Sequence, residues 1–492
     1  SWEGRLSAFV PNLPELTSFL KKTSLALLVA QAILCLGAVL TRVMLHGDGS
    51  YFVYAIALGE PWDFKWTEIA TRASIYILTV VPSAFVDGVF NLSGDHVAAV
   101  NGFTFYGVQW IQYLIVVMLA WRQFPHLLIF PLLQYALSTG LGFGFPSEIL
   151  LAPGFLWICL FALIRQPVPW LLLCAAFAGL CFSHELSIPS ALLVLAFSWL
   201  KQRHIEPGQR FGSRLFACTA VAILAVWLFV KLNGGSRGAD SNAIYVFDPR
   251  RVLNYPALWL IAITVLAIGA AARAKFARHR QPLWAIGFAC ALATALASLL
   301  LDSVQGRYDS ARTLIAVWMI FLGLSFIFVM ERPEKDRKFP GPAAPGAHAI
   351  KSVTVAILSI NLTANVIFLY EWNKAINAFS SVVNTDPGTG RIEIVSDDKL
   401  RKIMGPAATN LNDRMGFSWT WPYRSIVVAK DFRPAHVIVD PEMAHDQCKK
   451  LSLQTQTSRI PSDVIEAVSR YACAQPAPPD RRYLRQWFLN WW

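Results

Sequence analysis

Asp48 stands between two glycines in His46-Gly47-Asp48-Gly49-Ser50-Tyr51, directly after the first long apolar segment. A carboxylate at a membrane surface is costly to place, so it marks a site with work to do. Just ahead of a short helix, the helix dipole favours its ionised form. There it could take a proton from a hydroxyl as a general base. Ser50 is placed to N-cap that helix, and Gly59-Glu60-Pro61 to stop it. The plain alternative is an Asp that only shapes a turn. Glu60 and Asp63 follow and read as a solvated helix end.

Further along the chain, more ionisable residues fall at the ends of apolar segments. Glu148 lies in Phe145-Pro146-Ser147-Glu148, and His184 and Glu185 lie in Phe182-Ser183-His184-Glu185-Leu186. Arg237, Arg250 and Arg251 sit in one loop, and Arg307, Tyr308 and Arg312 in Gln305-Gly306-Arg307-Tyr308-Asp309-Ser310-Ala311-Arg312. Each has a bland reading: a first-turn acid at a helix start, a hydrogen-bonded corner, a headgroup anchor, a surface Arg–Asp network. Taken together they suit one chemistry. A carboxylate deprotonates an acceptor hydroxyl, while arginines hold a phosphate leaving group bidentately. Sugar transfer from a lipid phosphate needs those parts.

The elements that must position these residues are membrane helices. Charged residues make up 15% of the 492 and hydrophobic ones 55%, with a mean hydropathy of +0.45. A soluble chain carries about 25% charged residues, so this composition describes a polytopic membrane protein. The net charge of +12 points to cytoplasmic loops and anionic headgroups, not to nucleic acid. Residues 1–22 read as a cytoplasmic flank and 23–44 as a retained first helix, too long for a signal segment. Further spans are read at 105–121, 125–142, 148–164, 168–183, 186–201, 214–231, 256–272, 283–301, 311–330 and 350–370, giving about 11 in all. Basic residues cluster in 201–214, 273–280 and 331–338, which the positive-inside rule makes cytoplasmic. The transmembrane region is therefore 23–370, with a long first extracytoplasmic loop at 45–104. Within that loop, the apolar piece 73–90 either lies in the interface or re-enters, or else it spans and a later segment does not.

Residues 371–492 are mixed and polar, with strand-like pieces at 391–395, 425–428 and 436–439 and a helical piece at 462–472. They read as a small α/β domain outside the membrane. Its two cysteines, Cys448 and Cys473, allow one disulfide if the compartment is oxidising. The aromatic end, Trp487-Phe488-Leu489-Asn490-Trp491-Trp492, suits a return to the membrane interface.

One helix, a long outer loop opening with an Asp and a short interfacial helix, many spans and an outer C-terminal domain: this layout resembles the GT-C glycosyltransferases. Asp48 stands where that family carries its catalytic acid, and Gln305-Gly306-Arg307-Tyr308 is similar to the Arg-Tyr turn some members carry near the lipid-phosphate site. The chain departs from the family in lacking an acidic pair, since Gly49 follows Asp48. The resemblance implies a polyprenyl-phosphate sugar donor, a glycan, lipid or protein acceptor and an inverting reaction on the extracytoplasmic face. It makes Asp48 the base. It makes Arg307 the phosphate ligand beside Tyr308, with Arg312 and Arg250 as alternatives. Glu148, His184, Glu185 and Tyr51 would line the acceptor or sugar pocket. Some members use a divalent metal, magnesium or manganese, and others none; no spacing here demands one.

Two rival classes remain. An O-antigen polymerase or ligase also has many spans and outer arginines, but places its large outer loop late. A transporter or a scaffold subunit is the non-enzymatic alternative; a transporter should show repeated halves and helices broken at midplane, and neither is found. The composition suits a bacterial inner membrane with the site facing the periplasm.

Overall fold

The computed structural model describes residues 13–66, 70–202, 210–233, 304–331, 347–385, 391–396, 418–453 and 455–476. Arg237, Arg250, Arg251, the expected spans at 256–272 and 283–301 and the aromatic C-terminus lie outside them. The described residues are mostly helical. Five helices among them are long and apolar enough to cross a membrane. The protein is thus a helical membrane protein.

The first of these, α1 (Leu13–Leu40), begins well before the expected position 23. One stripe, Val29, Ile33, Leu36 and Leu40, is exposed, while Leu20, Leu27, Leu34 and Ala38 on the other side are buried. That division fits a helix with one face to lipid and one to the bundle. A left-handed Arg42 and a single 3-10 turn lead into α2 (Asp48–Ala57). Helix α2 starts two residues before the expected cap. Ser50 does not cap it; its Oγ donates to the Gly47 carbonyl at 2.9 Å. Gly59, at φ +86°, ends the segment as anticipated. All the residues of helix α2 are buried against the rest of the protein.

The ambiguous apolar piece is a helix of span length, α3 (Ala70–Phe90). It folds back along α4 (Gly94–Ala120) through a three-residue turn at Asn91-Leu92-Ser93. Asn91 there adopts the left-handed conformation, at φ 52°, which Asn tolerates. Asn101 and Thr104 on α4 donate to the Thr79 carbonyl of α3, and Ile77, Phe85 and Val89 face outward.

The bundle continues with α5 (Ile129–Gly142), a 3-10 turn at Glu148–Leu151 and α6 (Ala152–Ile164). There follow α7 (Trp170–Cys181), α8 (Ile188–Gln202), α9 (Arg210–Asn233) and α10 (Val304–Glu331). The last, α11 (Ala347–Asn384), runs well past the expected domain boundary at 371.

Beyond α11, β1 (Glu393–Ser396) pairs in parallel with β2 (His436–Val439), Glu393 opposite His436. Residues 425–428, expected as a strand, belong instead to a helix, α12 (Trp421–Val428), with Pro422 in its first turn. Two further helices, α13 (Pro441–Leu451) and α14 (Ser462–Ala474), are joined by a disulfide between Cys448 and Cys473. These elements sit on α2. Arg424 Nε donates to the Leu45 carbonyl at 2.6 Å, Thr455 Oγ1 to Leu58 at 2.5 Å and Lys450 Nζ to Phe64 at 2.8 Å.

Candidate active site

Asp48 opens α2, and Gly47 and Gly49 explain its flanks. Gly47 has φ +51°, in the region where side chains are strained. A Cβ on Gly49 would stand 2.2 Å from the Met44 carbonyl oxygen. Two residues before Asp48, the fully buried His46 packs edge-on against Phe145 and Trp372, each with centroids 4.8 Å away. The carboxylate thus comes from a tightly fixed stretch, and it is itself only 8% exposed.

Arg312, in the third turn of α10, meets it: Nη2 donates to Asp48 Oδ2 at 2.9 Å. The same guanidinium donates from Nε to Ser147 Oγ at 3.2 Å. Ser147 precedes Glu148, which is completely buried at the head of its 3-10 turn. Glu148 faces Arg72 Nη1 at 3.6 Å. Arg72, at the start of α3, also holds Glu185 through Nε and Nη2, both at 3.0 Å. Thr71 Oγ1 donates to the other oxygen of Glu185 at 2.8 Å, and Lys231, in the last turn of α9, lies 3.6 Å from it. Three carboxylates and three cations from separate segments are thus brought together: Asp48 with Arg312 and, next to them through Ser147, the run Glu148–Arg72–Glu185–Lys231.

His184 completes the corner between α7 and α8. Its Nδ1 accepts the Leu186 N–H at 3.1 Å, which leaves the proton of the neutral ring on Nε2. Burial, reinforced by the nearby Arg72 charge, pushes its pKa down to about 3. Its Nε2 is a buried donor that meets no acceptor among the described residues. For Glu185, burial alone would raise the pKa. The positive charge of Arg72, with Lys231, outweighs it and holds the carboxyl well below its usual range.

Five of the residues expected to carry chemistry, Asp48, Glu148, His184, Glu185 and Arg312, are gathered in this network. Arg307 and Tyr308 share the first turns of α10, Tyr308 one turn ahead of Arg312. Tyr51 lies outside this network. Its hydroxyl accepts from Lys450, and its ring lies 5.1 Å from Tyr423, so it faces the C-terminal elements. Glu60 and Asp63 are exposed and outside the network.

Arg72 and Lys231 were not foreseen. Arg72 stands alone before an apolar run, where it reads as a flank; its one signal was a guanidinium at the mouth of a helix long enough to span. Among the described residues, no three His, Cys, Asp or Glu side chains are grouped to hold a metal ion. Each carboxylate of the network instead faces a cation, so the residues do not fit a divalent metal and no step is assigned to one.

Compared with known proteins, the chain matches no family model, no curated protein and no solved structure.

Proposed function

We propose that the chain is an integral membrane glycosyltransferase of the GT-C kind, moving a sugar from a polyprenyl-phosphate donor to a glycan, lipid or protein acceptor on the extracytoplasmic face. The observation that carries this reading is the contact between Asp48 and Arg312 at 2.9 Å, inside a buried network shared with Glu148, Arg72 and Glu185. A carboxylate able to take a proton and a guanidinium able to hold an anion stand together at the heads of α2 and α10.

In the reaction, the acceptor hydroxyl oxygen attacks C1 of the sugar and its proton passes to Asp48. The C1–O bond to the phosphate breaks, and the polyprenyl phosphate leaves with the electron pair. Arg312 neutralises the charge that develops on it, with Arg307 on the same helix as a further phosphate ligand. The neutral His184, through Nε2–H, donates to a sugar or acceptor oxygen beside Glu148 and Glu185. The reading includes about 11 spans and an extracytoplasmic α/β domain made of the elements after α11. The Cys448–Cys473 disulfide suits an oxidising compartment such as the bacterial periplasm.

The test uses the full chain in lipid nanodiscs with a panel of polyprenyl-phosphate sugars, measuring release of polyprenyl phosphate. Asp48→Asn should lower turnover by about 100-fold or more while the protein stays folded. Unchanged turnover in that variant would remove Asp48 as the base.

A further inference from the structure

A carboxylate touching a guanidinium is a poor base, because the positive charge favours its ionised form. Asp48 is in that position, with Oδ2 accepting from Arg312 Nη2 at 2.9 Å. Arg312 is meanwhile the described guanidinium placed to receive a phosphate. One contact therefore occupies both groups. It lies at one of the network's two more accessible ends, the other being Glu185 with Lys231, 11% and 15% exposed. The Arg312 and Asp48 side chains are 18% and 10% exposed, against 5% and 0% for Arg72 and Glu148. Arg312 has a neutral second anchor in Ser147, at Nε, which can hold the guanidinium in place while Nη2 changes partner.

We propose that the Asp48–Arg312 ion pair is a latch opened by the phosphate of the donor. The phosphate oxyanion takes the place of the Asp48 carboxylate on Arg312 Nη2, and the carboxylate released becomes the base. This inference rests on the transferase reading of the same site. Phosphate competes well because it offers more charge and more acceptor oxygens than one carboxylate. The pair Arg72 with Glu148 stays closed because its side chains, 5% and 0% exposed, are out of reach of the incoming anion. Once the latch is open, the acceptor proton moves to Asp48 as the new C1–O bond forms, and the departing phosphate keeps its electron pair on Arg312. Without donor the base stays masked, which denies it to water.

The latch predicts an effect of unusual sign. Removing the Asp48 charge should tighten phosphate binding, because the intramolecular competitor is gone. Binding of a long-chain polyprenyl phosphate is measured by intrinsic fluorescence on the full chain in phosphatidylcholine nanodiscs. Wild type, Asp48→Asn and Arg312→Gln are compared, with inorganic phosphate and phosphatidylglycerol as separate probes. Asp48→Asn should bind polyprenyl phosphate on the order of tenfold more tightly than wild type, and Arg312→Gln more weakly by a similar factor. Asp48→Ala carries the same test should the Asn variant not fold. The same tightening with inorganic phosphate supports the latch and assigns recognition to the oxyanion alone. Tightening toward phosphatidylglycerol overturns it, since any anionic bilayer would then hold the latch open. Equal or weaker binding by both Asp48 variants overturns the latch and leaves the transferase reading standing. Absence of polyprenyl-phosphate binding in every form overturns both.

Discussion

Asp48 and Arg312 lie 264 residues apart in the chain and 2.9 Å apart in space. Their meeting depends on the start of α2, the first turns of α10 and the Ser147 corner between them. Each of these can be disturbed separately.

The start of α2 leaves no room for a side chain beside Asp48. In Gly49→Ala the added Cβ would meet the Met44 carbonyl at 2.2 Å, a backbone atom that cannot swing away. Thermal unfolding should show a loss of about 1–3 kcal/mol, and polyprenyl-phosphate turnover should fall with it. Wild-type stability in this variant would mean that the backbone at Asp48 is looser than described.

Arg72 sits between two carboxylates, Glu148 and Glu185. Arg72→Met takes the Arg72 charge from buried Glu148 and leaves Glu185 with Lys231, and should destabilise the protein by about 3–5 kcal/mol. Arg72→Met combined with Glu148→Gln should recover part of that loss, because the buried charge that faced Arg72 is removed with it. Purely additive effects in the double variant would contradict the pairing.

Acidification should weaken the fold in a defined window. His184 has a folded pKa near 3, below its unfolded value of about 6.5. Between those values the unfolded chain binds the extra proton, so stability falls as pH drops from about 6.5 toward 3. Glu185, whose folded pKa is also depressed, acts in the same direction at the acid end: its contribution is present above about 4.5 and is lost as pH falls through its folded value. Thermal unfolding of the full chain should be flat above about pH 7 and decline below it. His184→Gln should flatten the upper part of the decline while leaving the acid end. An unaltered slope in that variant would assign the titration to another group.

The disulfide between Cys448 and Cys473 closes 25 residues and ties α13 to α14. Lys450 on α13 reaches back to Phe64 and Tyr51. Cys448→Ser with Cys473→Ser should destabilise these helices by about 3 kcal/mol. Hydrogen exchange should then rise across 441–474 and at the end of α2 that they cover. Exchange confined to 441–474, with α2 unchanged, would show that the C-terminal elements do not brace it.

Much of the site could be read from the chain because membrane segments make ionisable residues conspicuous. Asp48, Glu148, His184, Glu185 and Arg312 each stand at the edge of an apolar run, and such residues are rarely idle. Partners could not be read, since pairing Arg72 with Glu185 spans 113 positions and no local pattern encodes it. The surroundings of Tyr51 could not be read for the same reason: its neighbours Tyr423 and Lys450 come from the far end of the chain. Helix ends escaped hydropathy where a helix outlasts its apolar stretch. Glu371 and Lys374 end the apolar window of α11, yet the helix continues to Asn384. The run Ser425-Ile426-Val427-Val428 is ambiguous between strand and buried helix, and in the fold Pro422 opens a helix there.

The most direct measurement is a density map of the full chain in nanodiscs with added polyprenyl phosphate. The account predicts a lipid head within hydrogen-bonding distance of Arg312, a tail running between the helices, and the Asp48 carboxylate no longer on Arg312 Nη2. A head group bound elsewhere, with the Asp48–Arg312 contact intact and no lipid beside it, would contradict the assignment of this network as the transfer site.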